Sequence, residues 1–185
     1  MLVFCVSALA TPVVAWTWPT VERWELRTGY GYQYVNKKSR PTHFQIHPLL
    51  PSAVIPMGRV VGPSWLRGRW AWNPELLIAF FSYPYVRPML GFTPLQFRYT
   101  LETKGRWTPY GLLGAGVLYA PINRSESDSQ ANFNIQGALG VEYALSKTTA
   151  LIVEYRHLHV SNAGLGHENA GLDAHTFLAG LSVKR

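Results

Sequence analysis

The sequence predicts an all-β chain, an eight-stranded antiparallel transmembrane β-barrel of the outer membrane, and three observations carry that expectation. Charged residues make up only 15% of the 185-residue chain while hydrophobic ones reach 48%, against a charged share of about 25% in an ordinary soluble domain. No apolar run approaches the ~20 residues of a membrane-crossing helix, which excludes a helical membrane protein. Apolar residues fall instead on every second position over long stretches, the period of a strand with two unlike faces. Disorder is excluded as well. Seven Trp, ten Tyr and eight Phe, with abundant Val, Ile and Leu, offer more buriable surface than a disordered chain carries. Lys and Arg number 17 against 10 Asp and Glu, a net charge of +7, but no phosphate loop or nucleic-acid motif accompanies them, so no nucleic acid is expected as a partner.

Taken in order, residues 1–10 are almost wholly apolar and end in Ala8-Leu9-Ala10, the pattern of a secretory signal, with a second cleavage point after Val13-Val14-Ala15. Residues 1–15 are expected to be a signal peptide, cut after Ala10 or Ala15, and 16–185 a single barrel domain; a buried N-terminal strand is the competing reading. Cys5, the one cysteine, would leave with the signal, so no disulfide is expected. Strand segments follow at 22–36, then more weakly at 42–50. The proline-rich stretch 51–68 comes where a barrel calls for a short periplasmic turn, and it fits that scheme poorly. A third strand is expected over 67–83. The fourth, 91–101, alternates Leu95, Phe97, Tyr99 and Leu101 with Gln96, Arg98 and Thr100, and a turn at Glu102-Thr103-Lys104-Gly105 leads to the fifth, 107–119. After a polar loop, 123–130, the sixth strand carries Phe133, Ile135, Gly137, Leu139, Val141 and Tyr143 on one face, against Asn132, Asn134, Gln136, Ala138, Gly140 and Glu142. The turn Ser146-Lys147-Thr148 leads to the seventh, and after 162–172 the eighth runs over 174–183. Eight strands of the ~9–11 residues that cross a membrane account for the chain.

A soluble lipid-binding calyx has the same strand count but hides its apolar face and shows charge outside. Here the polar face is sparse, a few Asn, Gln, Glu and Arg among Gly and Ala, as suits a cramped barrel interior. The apolar face, with Trp and Tyr near strand ends, suits lipid. Glu142, Glu154, Arg156 and Arg98 are then expected as an interior salt-bridge network in place of a hydrophobic core.

Chemistry gathers at the outer end of the seventh strand. Leu151, Val153, Tyr155, His157, His159 and Ser161 share a face, so an apolar row turns polar. The eighth strand does the same with Asp173, His175 and Phe177. His159, Ser161 and Asp173 are thus the parts of an activated nucleophile; a polar interfacial rim is the bland alternative. His157, His159, His167 and His175 fit rim histidines better than a metal site, and neither a metal nor a cofactor is expected. Lys37, Lys38 and Arg40 lie in the first external loop as candidates for substrate phosphate, or as a solvated loop with no ligand.

Tyr155-Arg156, then His159-x-Ser161-Asn162-Ala163-Gly164-Leu165 and Glu168-Asn169-Ala170-Gly171-Leu172-Asp173, resemble the PagL family of lipid A 3-O-deacylases, also called acyloxyacyl hydrolases. Pro48-Leu49-Leu50-Pro51, Gly68-Arg69-Trp70, Gly91-Phe92-Thr93-Pro94-Leu95 and Gly105-Arg106-Trp107 extend the likeness over nearly all of the mature chain. The resemblance implies an outer-membrane serine esterase that removes the acyl chain ester-linked at position 3 of lipid A, with lipopolysaccharide as substrate. It implies His159 and Ser161 as base and nucleophile and Asp173 as the acidic member, where the family pattern has glutamate, one methylene longer. The Asn169 side chain and the backbone N–H groups of Asn162, Ala163 and Gly164 are implied as oxyanion donors. A homodimer is left open, and the rival class is a non-catalytic small outer-membrane barrel, structural or adhesive.

Overall fold

The structure, a computed structural model, describes residues 19–35, 42–83, 86–120, 129–165 and 171–185. Among the described residues nine strands form one antiparallel sheet: β1 (Arg23–Val35), β2 (Thr42–Val61), β3 (Gly68–Trp72), β4 (Glu75–Tyr83), β5 (Arg87–Leu101), β6 (Trp107–Tyr119), β7 (Ala131–Ala144), β8 (Thr149–Ser161) and β9 (Leu172–Lys184). β1 pairs with both β2 and β9, so the sheet closes on itself. β3 and β4 occupy one place in the ring, between β2 and β5. The barrel therefore has eight strand positions, as the alternation predicts. The expected single strand over 67–83 is broken at Asn73-Pro74, where Asn73 Nδ2 donates to the Ala53 carbonyl at 2.8 Å and stitches the gap. No helix among the described residues is long and apolar enough to cross a membrane.

The proline-rich stretch resolves into strand. β2 runs on to Val61, and the periplasmic turn shrinks to 62–67 around a single 3-10 turn at Ser64–Leu66. Proline removes a ladder donor and is tolerated where pairing is interrupted. Pro48 sits in a gap of the β1 ladder, between Thr28↔Leu49 and Gly31↔Ile46. Pro51 sits in a gap of the β4 ladder, between Leu49↔Ile78 and Ser52↔Glu75. Pro56 lies beyond the last β1 partner, Val54.

The hydrophobic pattern is inverted relative to a soluble protein. Leu113, Leu139 and Phe177 are 72%, 71% and 66% exposed, whereas Arg27, Arg98 and Arg156 are 0%, 0% and 2% exposed. Lipid makes such a surface favourable, because each strand position of the ring crosses with its backbone bonded and its apolar side outward. The interior has two layers. In the periplasmic half and at mid-height, Arg27 bonds Glu154 at 2.7 Å and Glu75 at 2.8 Å, Arg98 bonds Glu142 at 2.6 Å, and Arg156 meets Glu154 at 2.7 Å. Tyr110 donates to Glu154 at 2.6 Å, beneath the Arg98 guanidinium 3.5 Å from its ring centre. Toward the outer end an apolar cluster of Ile46, Leu50, Leu77, Phe81, Met89, Leu118, Leu158, Val160 and Leu172 predominates, with Gln33, Asn132 and Asn134 buried beside it. The charge network expected from Glu142, Glu154, Arg156 and Arg98 is present and also includes Glu25, Arg27 and Glu75. It replaces the hydrophobic core only in part, since the outer half of the barrel keeps one.

Candidate active site

β8 alternates inward Ile152, Glu154, Arg156, Leu158 and Val160 with outward Leu151, Val153, Tyr155, His157, His159 and Ser161. On β9, Asp173, His175, Phe177, Ala179 and Leu181 face out. The register sets His159 directly opposite Asp173, and His157 opposite His175. Directly opposed residues have Cβ atoms about 4.5–5.5 Å apart, a span that a short aspartate closes. His159 Nδ1 and Asp173 Oδ1 are 2.8 Å apart. A carboxylate only accepts, so Nδ1 carries the proton and Nε2 is left as the basic nitrogen.

Ser161 is the last residue of β8, opposite Phe133 on β7 and partly exposed. Two residues along a strand is about 7 Å between Cα atoms, within imidazole reach. Among the described residues Ser161 makes no hydrogen bond to His159; in free hydrolytic sites this bond commonly tightens only with substrate.

The chain then turns sharply. Asn162 is buried, and its Oδ1 accepts from Gly164 N at 2.9 Å while its carbonyl accepts from Leu165 N at 3.0 Å. Ala163 adopts φ 53° and Gly164 φ 79°. A left-handed alanine costs about 1–2 kcal/mol, and such strain is held at sites where the backbone must point a particular way. The turn also changes the expectation for oxyanion donors. The Gly164 N–H is already engaged by the Asn162 side chain, so of the three backbone groups named from sequence it is not free for substrate. Asn169 and His167, like Lys37, Lys38 and Arg40, lie outside the described residues.

Three features went unrecognised in the sequence. Gly171 has φ 71°, and a Cβ there would stand 3.1 Å from His159 Cε1, so the glycine is the floor on which the imidazole rests. The signal was present as a glycine two residues before Asp173. Secondly, Tyr155 Oη and His175 Nδ1 lie 2.6 Å apart, so the rim histidines are not isolated. Thirdly, the outward face of β5 to β8 carries an open apolar groove of about 580 Å³, walled by Phe97, Tyr99, Leu113, Leu139 and Tyr155 over Gly111 and Gly137. Its upper end abuts the catalytic-type row, because Gly137 is opposite His157.

The model of the family described as "Lipid A 3-O-deacylase (PagL)" matches residues 13–182. No curated protein matches the chain in sequence. Among solved structures, the outer-membrane enzyme PagL superposes with a TM-score of 0.63 at 18% identity, covering 88% of this chain and 99% of that one. Neisserial surface protein A superposes with a TM-score of 0.54 at 15% identity, covering 88% and 97%. At these identities the likeness is one of fold, and both neighbours are outer-membrane barrels.

Proposed function

The chain belongs to the PagL family of lipid A deacylases of the outer membrane, and on that footing we propose that it hydrolyses the ester-linked acyl chain at position 3 of lipid A, with Ser161 as nucleophile. The observation that carries the reading is the 2.8 Å bond between His159 and Asp173 on a lipid-facing surface, two residues from a serine. A His–carboxylate pair is an expensive ornament there, since polar groups facing lipid are disfavoured unless they are used.

In the reaction, Ser161 Oγ attacks the ester carbonyl as His159 Nε2 takes its proton. Asp173 holds the tautomer and stabilises the imidazolium. The tetrahedral oxyanion is met by the Asn169 side chain and the Ala163 N–H. Collapse breaks the ester C–O bond, the sugar hydroxyl leaves with the proton from His159, and water then releases the fatty acid from Ser161. No metal or cofactor enters. The outer end of β8 faces the outer leaflet, and the groove over Gly111 and Gly137 gives the acyl chain an apolar bed along the barrel wall. Lys37, Lys38 and Arg40 are assigned to the lipid A phosphates. On this reading residues 1–15 are a signal peptide, cut after Ala10 or Ala15, ahead of the barrel domain at 16–185.

Mass spectrometry of lipid A incubated with detergent-folded protein tests this reading. The wild type should remove one acyl chain, and Ser161→Ala and His159→Asn should not. Deacylation by both variants would sink the assignment, and a folded but inert wild type would leave the non-catalytic barrel.

A further inference from the structure

Asp173 is not reserved for one histidine. Its Oδ1, 2.8 Å from His159 Nδ1, also lies 3.5 Å from His157 Nε2. The second distance is within ion-pair range but longer than an ordinary hydrogen bond, and it converges on the same oxygen that fixes the general base. His157 is itself held from β9: its ring lies 5.0 Å from that of His175, and His175 Nδ1 is bonded to Tyr155 Oη at 2.6 Å. Tyr155 packs on Phe177 with ring centres 5.4 Å apart. On the other flank His157 faces Gly137, which offers no side chain. One connected row therefore runs from Tyr155 at mid-height to His159, spanning about 13 Å of strand, with Ser161 two residues beyond its end.

The carboxylate needs such a hold. Asp173 is 53% exposed on its side chain, on the outer wall of the barrel, with no interior packing to fix its rotamer. A group that sets the imidazole of a general base must stay within a fraction of an ångström of its place to be useful. We infer that His157 is a positioning residue of the hydrolytic site: its Nε2–H pins the Asp173 carboxylate against His159, and the His175–Tyr155 pair pins His157. The inference rests on the function proposed above and assigns His157 a role through Asp173, with no contact to the reacting atoms.

Two replacements separate positioning from packing. His157→Leu removes the donor yet suits a lipid-facing position, so the barrel should fold. His157→Gln keeps an N–H near the place of Nε2. With lipid A in detergent micelles, His157→Leu should lower kcat roughly 5- to 20-fold with KM within twofold of the wild type, and His157→Gln should recover most of that loss. In an Asp173→Ala background, His157→Leu should change nothing further, because a residue acting through a partner has no effect once the partner is gone. An unchanged kcat in His157→Leu, a change confined to KM, or an equal loss in the Asp173→Ala background would overturn the inference.

A second readout does not depend on turnover. In 15N-histidine-labelled protein, the downfield His159 Nδ1–H resonance should broaden or move upfield in His157→Leu and persist in His157→Gln. If it is unaltered in His157→Leu, His157 does not position Asp173, whether or not the protein deacylates lipid A. If it responds while the wild type proves inert on lipid A, the positioning stands and the proposed substrate is what fails.

Discussion

Two polar clusters lie on opposite sides of the same barrel wall, and they are built to different rules. Inside, Arg27, Arg98 and Arg156 are sealed among Glu25, Glu75, Glu142 and Glu154, with each arginine bonded to at least two carboxylates and each carboxylate to at least one arginine. Outside, His159 and His157 share one half-exposed aspartate, and the Ser161 hydroxyl has no bond to the base. With Arg23, which bonds Glu142 at 2.9 Å, four arginines meet four carboxylates: the interior cluster is closed, its charges balanced and its donors and acceptors mostly engaged, so it fills space and fixes register. The exterior cluster is left open at the nucleophile and at His159 Nε2. A fully paired network is structural, whereas one with a free basic nitrogen and a free hydroxyl facing the lipid has capacity left for chemistry.

The contrast is broken first by removing the shared carboxylate. Asp173→Ala should cut lipid A deacylation by on the order of 10³-fold while leaving the melting of the barrel unchanged. Asp173→Glu should stay within about tenfold of wild type, read in the same mass-spectrometric assay. Next comes the interior, where the expectation is the reverse. Glu75→Leu strands parts of Arg27 and Arg156 in the barrel, so it should cost about 3–5 kcal/mol of stability, visible as a lower temperature for loss of heat-modifiable migration. Activity per folded molecule should hold. Equal damage to activity would mean that the two clusters are coupled through the wall.

Smaller effects sharpen the picture. Gly171→Ala places a methyl group 3.1 Å from His159 Cε1 and asks alanine to take φ 71°, so it should cost about 1–2 kcal/mol locally. Roughly a tenfold fall in kcat is expected from the displaced imidazole. Gly137→Leu fills the groove floor against Leu113, and should raise KM for long-chain lipid A a few-fold with kcat little changed; an identical KM would remove the groove from the acyl path.

Much of this is legible in the alternation of the sequence. Strict parity along β8 and β9 places His159, Ser161 and Asp173 on one outward face, and parity on β7 and β8 places Glu142, Glu154 and Arg156 inside. What parity cannot supply is register across the ring. Glu25 and Arg27 alternate inward with Trp24 and Leu26, but their charged partners on other strands are 48 to 127 residues away by the chain, so the sequence shows the network only as fragments. Prolines misled in 51–68, because whether a missing N–H breaks a strand depends on which neighbour it faces, a property of the ladder and not of the residue. The turn after Ser161 shows the converse. The motif Ser161-Asn162-Ala163-Gly164 carries the expectation of a backbone open to substrate, yet only the fold reveals that the Asn162 side chain already holds Gly164 N–H.

The central claim is that Ser161 is a nucleophile facing the membrane, and a fluorophosphonate tests it most directly. Detergent-folded wild-type protein should be phosphonylated on Ser161 at one group per chain, with deacylation lost in step. Ser161→Ala should remain unlabelled, and His159→Asn should label far more slowly. An active wild type whose Ser161 stays unlabelled by the reagent, or one that keeps deacylating lipid A after Ser161 has been fully modified, would contradict the account.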